Sequence, residues 1–204
     1  MYEFSNTWFD VNAKNIWTKL ISEETPERVL EIGSFEGASA CFIIDNAQHK
    51  KIELHCIDPW DEGEHFPKRS EYSQMQLIES KFRHNTDLSR KNSSADVDFH
   101  VHKGLSTDIM AKLLSQGYRN YFDWVYIDGS HRAPDVLADA VLAFLLTRPG
   151  GILIFDDYTW RTSASGSPDV IECPKIAIDA FVNIYFKEVK VIPKWMRQIY
   201  VRKL

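Results

Sequence analysis

Several carboxylates and one imidazole stand at or just beyond the ends of short apolar runs in this 204-residue chain. Asp128-Gly129-Ser130-His131 follows Trp124–Ile127, and Asp156-Asp157 closes Ile152–Phe155. Two earlier runs, Val29-Leu30-Glu31 and Leu54–Asp58, also end in acid. Runs this short and apolar are expected as strands buried on both faces, the habit of a parallel sheet. In an open parallel sheet the carboxyl ends of the strands share one rim, and ligands bind outside it. Carboxylates converging there repel one another unless a cation sits among them. Hard oxygen donors with few thiols or imidazoles favour Mg2+, with Mn2+ or Ca2+ as alternatives. Asp128, Asp156 and Asp157 are the candidate ligands. The plainer alternative has Asp157 capping a turn, Asp128 bonding loop amides, and His131 contacting a cofactor or a backbone carbonyl.

The elements that must position these groups alternate between helix and strand periods, which is the α/β pattern. An amphipathic helix is expected over Val11–Ser22. A strand at 28–32 leads through Gly33–Gly37 into a helix over Ala38–Ala47, and a second strand follows at 52–57. After the polar, aromatic stretch Trp60–Tyr72 comes a helix running to about Arg90. The alternation of Val97, Phe99 and Val101 predicts a half-buried strand over Val97–Lys103. Ser106-Thr107-Asp108 supplies cap candidates for a helix over 108–116. A fourth strand is expected at 122–128, then a helix with Pro134 in its first turn. Pro149-Gly150-Gly151 breaks that helix and starts a fifth strand. Thr159–Ser167 reads as a loop and a helix follows Pro174. Strands at Lys187–Ile192 and Gln198–Arg202 are joined closely enough, through Pro193-Lys194-Trp195, to be antiparallel. The expected architecture is a single domain over 1–204: a helical lid or extension at 1–24, and a Rossmann-like core at 25–204. That core is a seven-stranded, doubly wound sheet, mostly parallel with an antiparallel last strand and helices on both faces.

A hydrophobic fraction of 44% suffices for a full core, and a net charge of −5 argues against nucleic-acid or anionic-membrane surfaces. Cys41, Cys56 and Cys173 lie far apart in apolar stretches and are expected as reduced thiols. Residues 1–6 lack a signal-peptide pattern and Ala140–Leu146 is too short to span a bilayer, so a cytoplasmic protein is expected. Self-association is left open.

Glu31-Ile32-Gly33-Ser34-Phe35-Glu36-Gly37 forms a strand-to-helix junction in which Gly33 permits a tight turn and Gly37 a close helix approach. About 25 residues on, Asp58 can accept hydrogen bonds from both hydroxyls of a ribose. A dinucleotide needs its pyrophosphate at this turn, usually over Gly-x-Gly-x-x-Gly. Bulky Phe35 and acidic Glu36 obstruct and repel that group. S-adenosylmethionine carries a sulfonium and an ammonium instead, and Glu31 in an acidic first turn suits those cations.

Taken in order, four motifs resemble those of class I S-adenosylmethionine-dependent methyltransferases. They are Val29-Leu30-Glu31-Ile32-Gly33-Ser34-Phe35-Glu36-Gly37-Ala38-Ser39, Ile57-Asp58-Pro59-Trp60, Tyr126–His131, and Arg148-Pro149-Gly150-Gly151-Ile152 to Asp157. More narrowly, they resemble the metal-dependent O-methyltransferases, catechol-type and macrolide-sugar-type. Phe35 stands where the commonest class I motif has glycine, as in catechol-type members. The resemblance implies that Glu31, Gly33, Ser34 and Gly37 lie around the methionine end of the cofactor. It implies Asp58 on the ribose, Trp60 beside the adenine and Ser106 near the adenine end. Asp128, Asp156 and Asp157 would hold the divalent ion, with Asp128 also in the cofactor site and His131 as general base. The implied reaction is methyl transfer to a hydroxyl of a small acceptor, a sugar or glycosylated metabolite being favoured over a catechol because the base is histidine. Acceptor choice is assigned to Trp60–Tyr72, Thr159–Ile171 and the N-terminal segment, with Trp8, Trp60 and Trp160 in reach of the pocket. The remaining histidines (49, 55, 65, 84, 100, 102) are expected as surface or strand residues, only His65 near the acceptor. Two rivals stand beside this reading. One is a non-catalytic S-adenosylmethionine-binding module. The other is a hydroxylase-type branch of the fold, disfavoured by the apparent lack of two histidines grouped with a carboxylate.

Overall fold

The structure, a computed structural model, describes residues 1–47, 51–61, 74–161, 169–194 and 197–204. Its elements run α1 Trp8–Asn12, α2 Lys14–Glu24, β1 Arg28–Ile32, α3 Ala38–Asp45, β2 Lys51–Asp58, α4 Met75–Asn92 and β3 Asp96–Lys103. Then come α5 Ser106–Ser115, β4 Phe122–Ile127, α6 Ala133–Leu146, β5 Thr147–Phe155, α7 Pro174–Ile184, β6 Val189–Ile192 and β7 Ile199–Lys203. The seven strands form one sheet in the order β3-β2-β1-β4-β5-β7-β6, with β7 antiparallel to both neighbours. The doubly wound sheet and its reversed last strand are as the sequence patterning implies.

Both faces of the sheet are packed, which is why the central strands carry unbroken apolar runs. Trp17, Ile44, Leu54, Phe82 and Tyr126 belong to the core on the α2, α3 and α4 side. Leu30, Met110, Val125, Phe144 and Phe181 belong to the core on the α5, α6 and α7 side. Trp17 is wholly buried and meets the rings of Trp124 and Tyr126 edge-on at 5.1 and 4.7 Å. Burying one such aromatic contributes roughly 1.5–3 kcal/mol, so α2 is part of the core.

Register then sets the rim. Ile32 pairs with Ile127, and Ile127 with Phe155, so β1, β4 and β5 end level. Past that line the rim is stitched by Gly33 N–H to Ile57 O (2.8 Å), Asp128 N–H to Ile32 O (2.8 Å) and Asp156 N–H to Ile127 O (3.0 Å). The acid of each strand thereby arrives beside the next.

Three elements differ from expectation. The first helix is broken at buried Ala13, which lets Phe9 meet Trp17 edge-on at 5.1 Å. Ser106 is the first residue of α5 and makes no capping bond; Leu105 precedes it. Strand β5 starts at Thr147, and Pro149-Gly150 forms an irregularity inside it, where the register shifts between Phe122 and Trp124. Among the described residues no helix is long and apolar enough to cross a membrane. His49, His65, and positions 62–72 and 162–168 of the expected acceptor loops lie outside the described residues.

Candidate functional site

On the β1–β2 side, Gly33 takes φ +86°, and a Cβ there would stand 2.0 Å from the carbonyl oxygen of Asp128. Only glycine allows the turn to rest directly on the end of β4. Beneath it Glu31 is fully buried and receives the Ser39 hydroxyl on Oε1. Glu31 Oε2 and Ser34 Oγ are buried without a hydrogen-bond partner. Burial raises the Glu31 pKa against the pull of the Ser39 hydroxyl. Asp58 accepts Phe35 N–H at 2.9 Å on Oδ2 and Trp60 N–H at 2.8 Å on Oδ1. Each oxygen keeps a second lone pair, and burial lifts its pKa to about 6 despite those amides.

Two expectations on this side change. Trp60 is 3% exposed, packed on Phe82 at 4.7 Å between ring centres, with its indole N–H on the Phe35 carbonyl. The structure places it in the core below the turn, since its indole N–H closes that turn and its backbone N–H is taken by Asp58. Glu36 is not turned toward a bound cation: it takes Lys81 Nζ at 2.9 Å, Ser5 N–H at 2.6 Å and Ser5 Oγ–H at 2.8 Å. Its charge anchors the N-terminal segment. Gly37, at φ +81°, lies under the ring of Phe82.

On the β4–β5 side, Ile127, Asp128, Ser130, His131, Asp156 and Asp157 help to line one small pocket with Val136, Phe155 and Pro174. The buried Tyr126 hydroxyl lies 2.9 Å from Asp128 Oδ2 and is hydrogen-bonded to Asp156 Oδ2. One hydroxyl hydrogen cannot serve two carboxylates, so the group calls for a further proton or a cation. Burial, then the charges of Asp156 and Asp157, push the Asp128 pKa well up. Asp156 is likewise raised by burial and then by Asp157. Asp157, at φ 55°, points its carboxylate elsewhere: Oδ2 lies 2.7 Å from His131 Nε2. The His131 ring rests on Trp160, 4.1 Å between centres. Trp8 is half exposed, 5.8 Å from the ring of Phe35.

The expected trio of ligands is therefore split into an Asp128/Asp156 pair and an Asp157/His131 pair. Among the described residues, the one set of three carboxylate or imidazole groups with ligand atoms within 4.8 Å of one another lies elsewhere, at Glu53, His55 and His100. That set also corrects the expectation that two histidines and a carboxylate are not grouped. His55 is a strand residue, as expected, and is buried within β2.

Sequence reasoning missed the groups that hold the acids. Gln198 gives its amide to Asp156 Oδ2 at 2.8 Å and is itself held by Trp17 Nε1–H at 3.0 Å and by the Tyr200 hydroxyl. Ser106, expected near the adenine, donates to Asp139 Oδ1 at 2.6 Å. Asp139 is 2% exposed, and burial lifts its pKa to about 7 against the Ser106 bond. The folded state thus keeps a proton that the unfolded chain releases near pH 4, so stability from this group falls as pH rises from about 4 to about 7. Asp139→Asn is expected to raise Tm by several degrees at pH 8, with an upper bound of about 4 kcal/mol, and by much less at pH 4. Equal changes at both pH values in thermal melts would contradict the buried-acid assignment.

A family described as a methyltransferase domain matches residues 30–158. No curated protein matches the sequence. Among solved structures, the chain is similar to an O-methyltransferase from Bacillus cereus in complex with S-adenosylhomocysteine (SAH), at 16% identity and TM-score 0.62, covering 99% of this chain and 83% of that one. It is similar to the O-methyltransferase TomG from Streptomyces achromogenes, involved in tomaymycin synthesis and in complex with S-adenosylmethionine, at 18% identity and TM-score 0.64, covering 93% and 78%. A third is the SAH-bound methyltransferase PaMTH1 of Podospora anserina, at 14% identity and TM-score 0.60, covering 94% and 77%. At these identities the structural likeness speaks for the fold.

Proposed function

The chain belongs to the methyltransferase domain family, and we propose that it is an S-adenosylmethionine-dependent O-methyltransferase acting on a hydroxyl of a small acceptor. A sugar, a glycosylated metabolite or a catechol-like diol fits the proposal. The observation that carries it is the direct contact of the Gly33 turn with the Asp128 backbone. It puts the buried, partnerless Glu31 Oε2 and Ser34 Oγ on one side of a single strand end and the His131 pocket on the other. An acidic oxygen and a hydroxyl left without partners suit the ammonium end of the methyl donor. That the relatives above were solved with S-adenosylmethionine or SAH supports the same cofactor here.

When bound, S-adenosylmethionine supplies a methyl group on a sulfonium, and a divalent ion supplies charge that lowers the pKa of an acceptor hydroxyl. Asp128 and Asp156 are the residues that would hold such an ion. Their shared hydroxyl and raised pKa values fit an added positive charge, and Mg2+ commonly uses one or two carboxylates with water. His131 takes the proton from the attacking hydroxyl. Asp157, fixed on Nε2, leaves Nδ1 for that proton and stabilises the resulting imidazolium. No covalent enzyme intermediate is needed.

Residues 1–24 are read as an extension packed on a single domain, since Ser5 and Trp17 both bond into the core. Cys41, Cys56 and Cys173 are unpaired, which supports a reducing, cytoplasmic setting.

The test is transfer of label from methyl-labelled S-adenosylmethionine to a panel of vicinal-diol sugars and catechols, with and without EDTA. Labelled ether product is expected, reduced at least tenfold by EDTA and restored by Mg2+. Full activity in EDTA would leave Asp128 and Asp156 as a proton-sharing pair with no metal role. Cofactor binding without transfer to any acceptor would favour the non-catalytic binder.

A further inference from the structure

On the α5 side of the sheet, β2 and β3 bring together polar groups that methyl transfer does not use. Glu53 and His55 sit two residues apart on β2 and so share a face, and His100 is the direct partner of His55 across the parallel pair. His102 follows two residues further on the same face.

We propose that Glu53, His55 and His100 form a transition-metal site, with Zn2+ as the expected ion, that ties edge strand β3 to β2. One ligand atom from each lies within 4.8 Å of the others. Donors around a tetrahedral Zn2+ stand about 3.3 Å apart, so shifts of about 1 Å would close the site. Each of the three is also held from outside, as ligands in built sites usually are. Tyr121 donates to Glu53 Oε2 at 2.6 Å, leaving Oε1 facing His55 Nε2 at 2.9 Å. His102 Nε2 lies 3.0 Å from His55 Nδ1, and Asp98 Oδ1 lies 3.0 Å from His100 Nε2. With the His55 proton on Nδ1, directed to His102, Nε2 is free to bind metal.

The rings of His55 and His100 lie 4.3 Å apart across the β2–β3 pair. Two nitrogens with one carboxylate and no thiol suit Zn2+, Ni2+ or Cu2+ and not Mg2+ or Ca2+. The His100 side chain is 39% exposed, which gives the ion an entry and leaves a fourth position for water. The inference is independent of the methyl-transfer reading.

The experiment is Zn2+ titration by calorimetry on full-length, chelator-stripped protein, with thermal melts, for wild type, His100→Ala, Glu53→Gln and Asp156→Asn. His100 is partly exposed, so its alanine variant should fold. Asp156→Asn is expected to bind one Zn2+ and wild type at least one, each with a rise in Tm of several degrees. His100→Ala and Glu53→Gln should each lose at least tenfold in affinity, and His100→Ala should lose the Tm response. No stoichiometric binding by wild type would overturn the site. So would binding by His100→Ala equal to wild type, or loss in Asp156→Asn alone.

Discussion

His131→Ala is expected to lower kcat by about 10²–10⁴-fold, the range for removing a general base, while the Kd for SAH stays within twofold. The reason lies in how the ring is held. Nε2 is committed to Asp157 at 2.7 Å and one face rests on Trp160, so the other nitrogen is presented in a fixed direction beside Asp128 and Asp156. The cofactor-side groups, Glu31, Ser34 and Asp58, make none of their hydrogen bonds to His131. Steady-state kinetics with calorimetry separates the two effects. Equal loss of turnover and SAH binding would remove His131 from the role of base. Unchanged turnover would do the same.

The second large effect is expected from one methyl group. Gly33→Ala puts a Cβ 2.0 Å from Asp128 O, 2.5 Å from its carbonyl carbon and 2.8 Å from the Gly129 Cα, all of them backbone. Nothing there can rotate away, and φ +86° adds the left-handed cost of about 1–2 kcal/mol. Strands β1 and β4 must part at the rim, so a destabilisation of about 4 kcal/mol or more is expected, with loss of SAH binding. Gly37→Ala is the comparison, because its Cβ meets only the Phe82 ring at 3.0 Å and a Thr86 methyl at 3.2 Å. It is expected to cost less, and urea unfolding of the two variants provides the check. A Gly33→Ala protein within about 1 kcal/mol of wild type would mean that the turn does not rest on β4.

The strands were legible because burial on both faces leaves little but apolar residues until the rim, where acids mark the ends. Adjacency of Asp128 and Asp156 was also legible, since neighbouring parallel strands end together. Which way each side chain turns was not. Asp157 carries the same charge as Asp156, yet its left-handed backbone sends it to His131. Glu36 looked like part of an acidic turn, but its partners come from position 5 and from α4. Gln198 reaches Asp156 from the last strand, and Trp17 reaches Gln198 from the second helix. Pairings across 42 and 181 positions leave no local spacing to read. His55, His100 and His102 were expected only as surface or strand residues; that they share a face with Glu53 follows from the β2–β3 register.

Calorimetric titration of the wild-type protein with SAH bears most directly on the account of a donor site joined to an acceptor site at one strand end. One molecule per chain is expected to bind, with affinity kept in Asp156→Asn and lost in Gly33→Ala. The contradicting result is a folded wild-type protein that takes up no SAH.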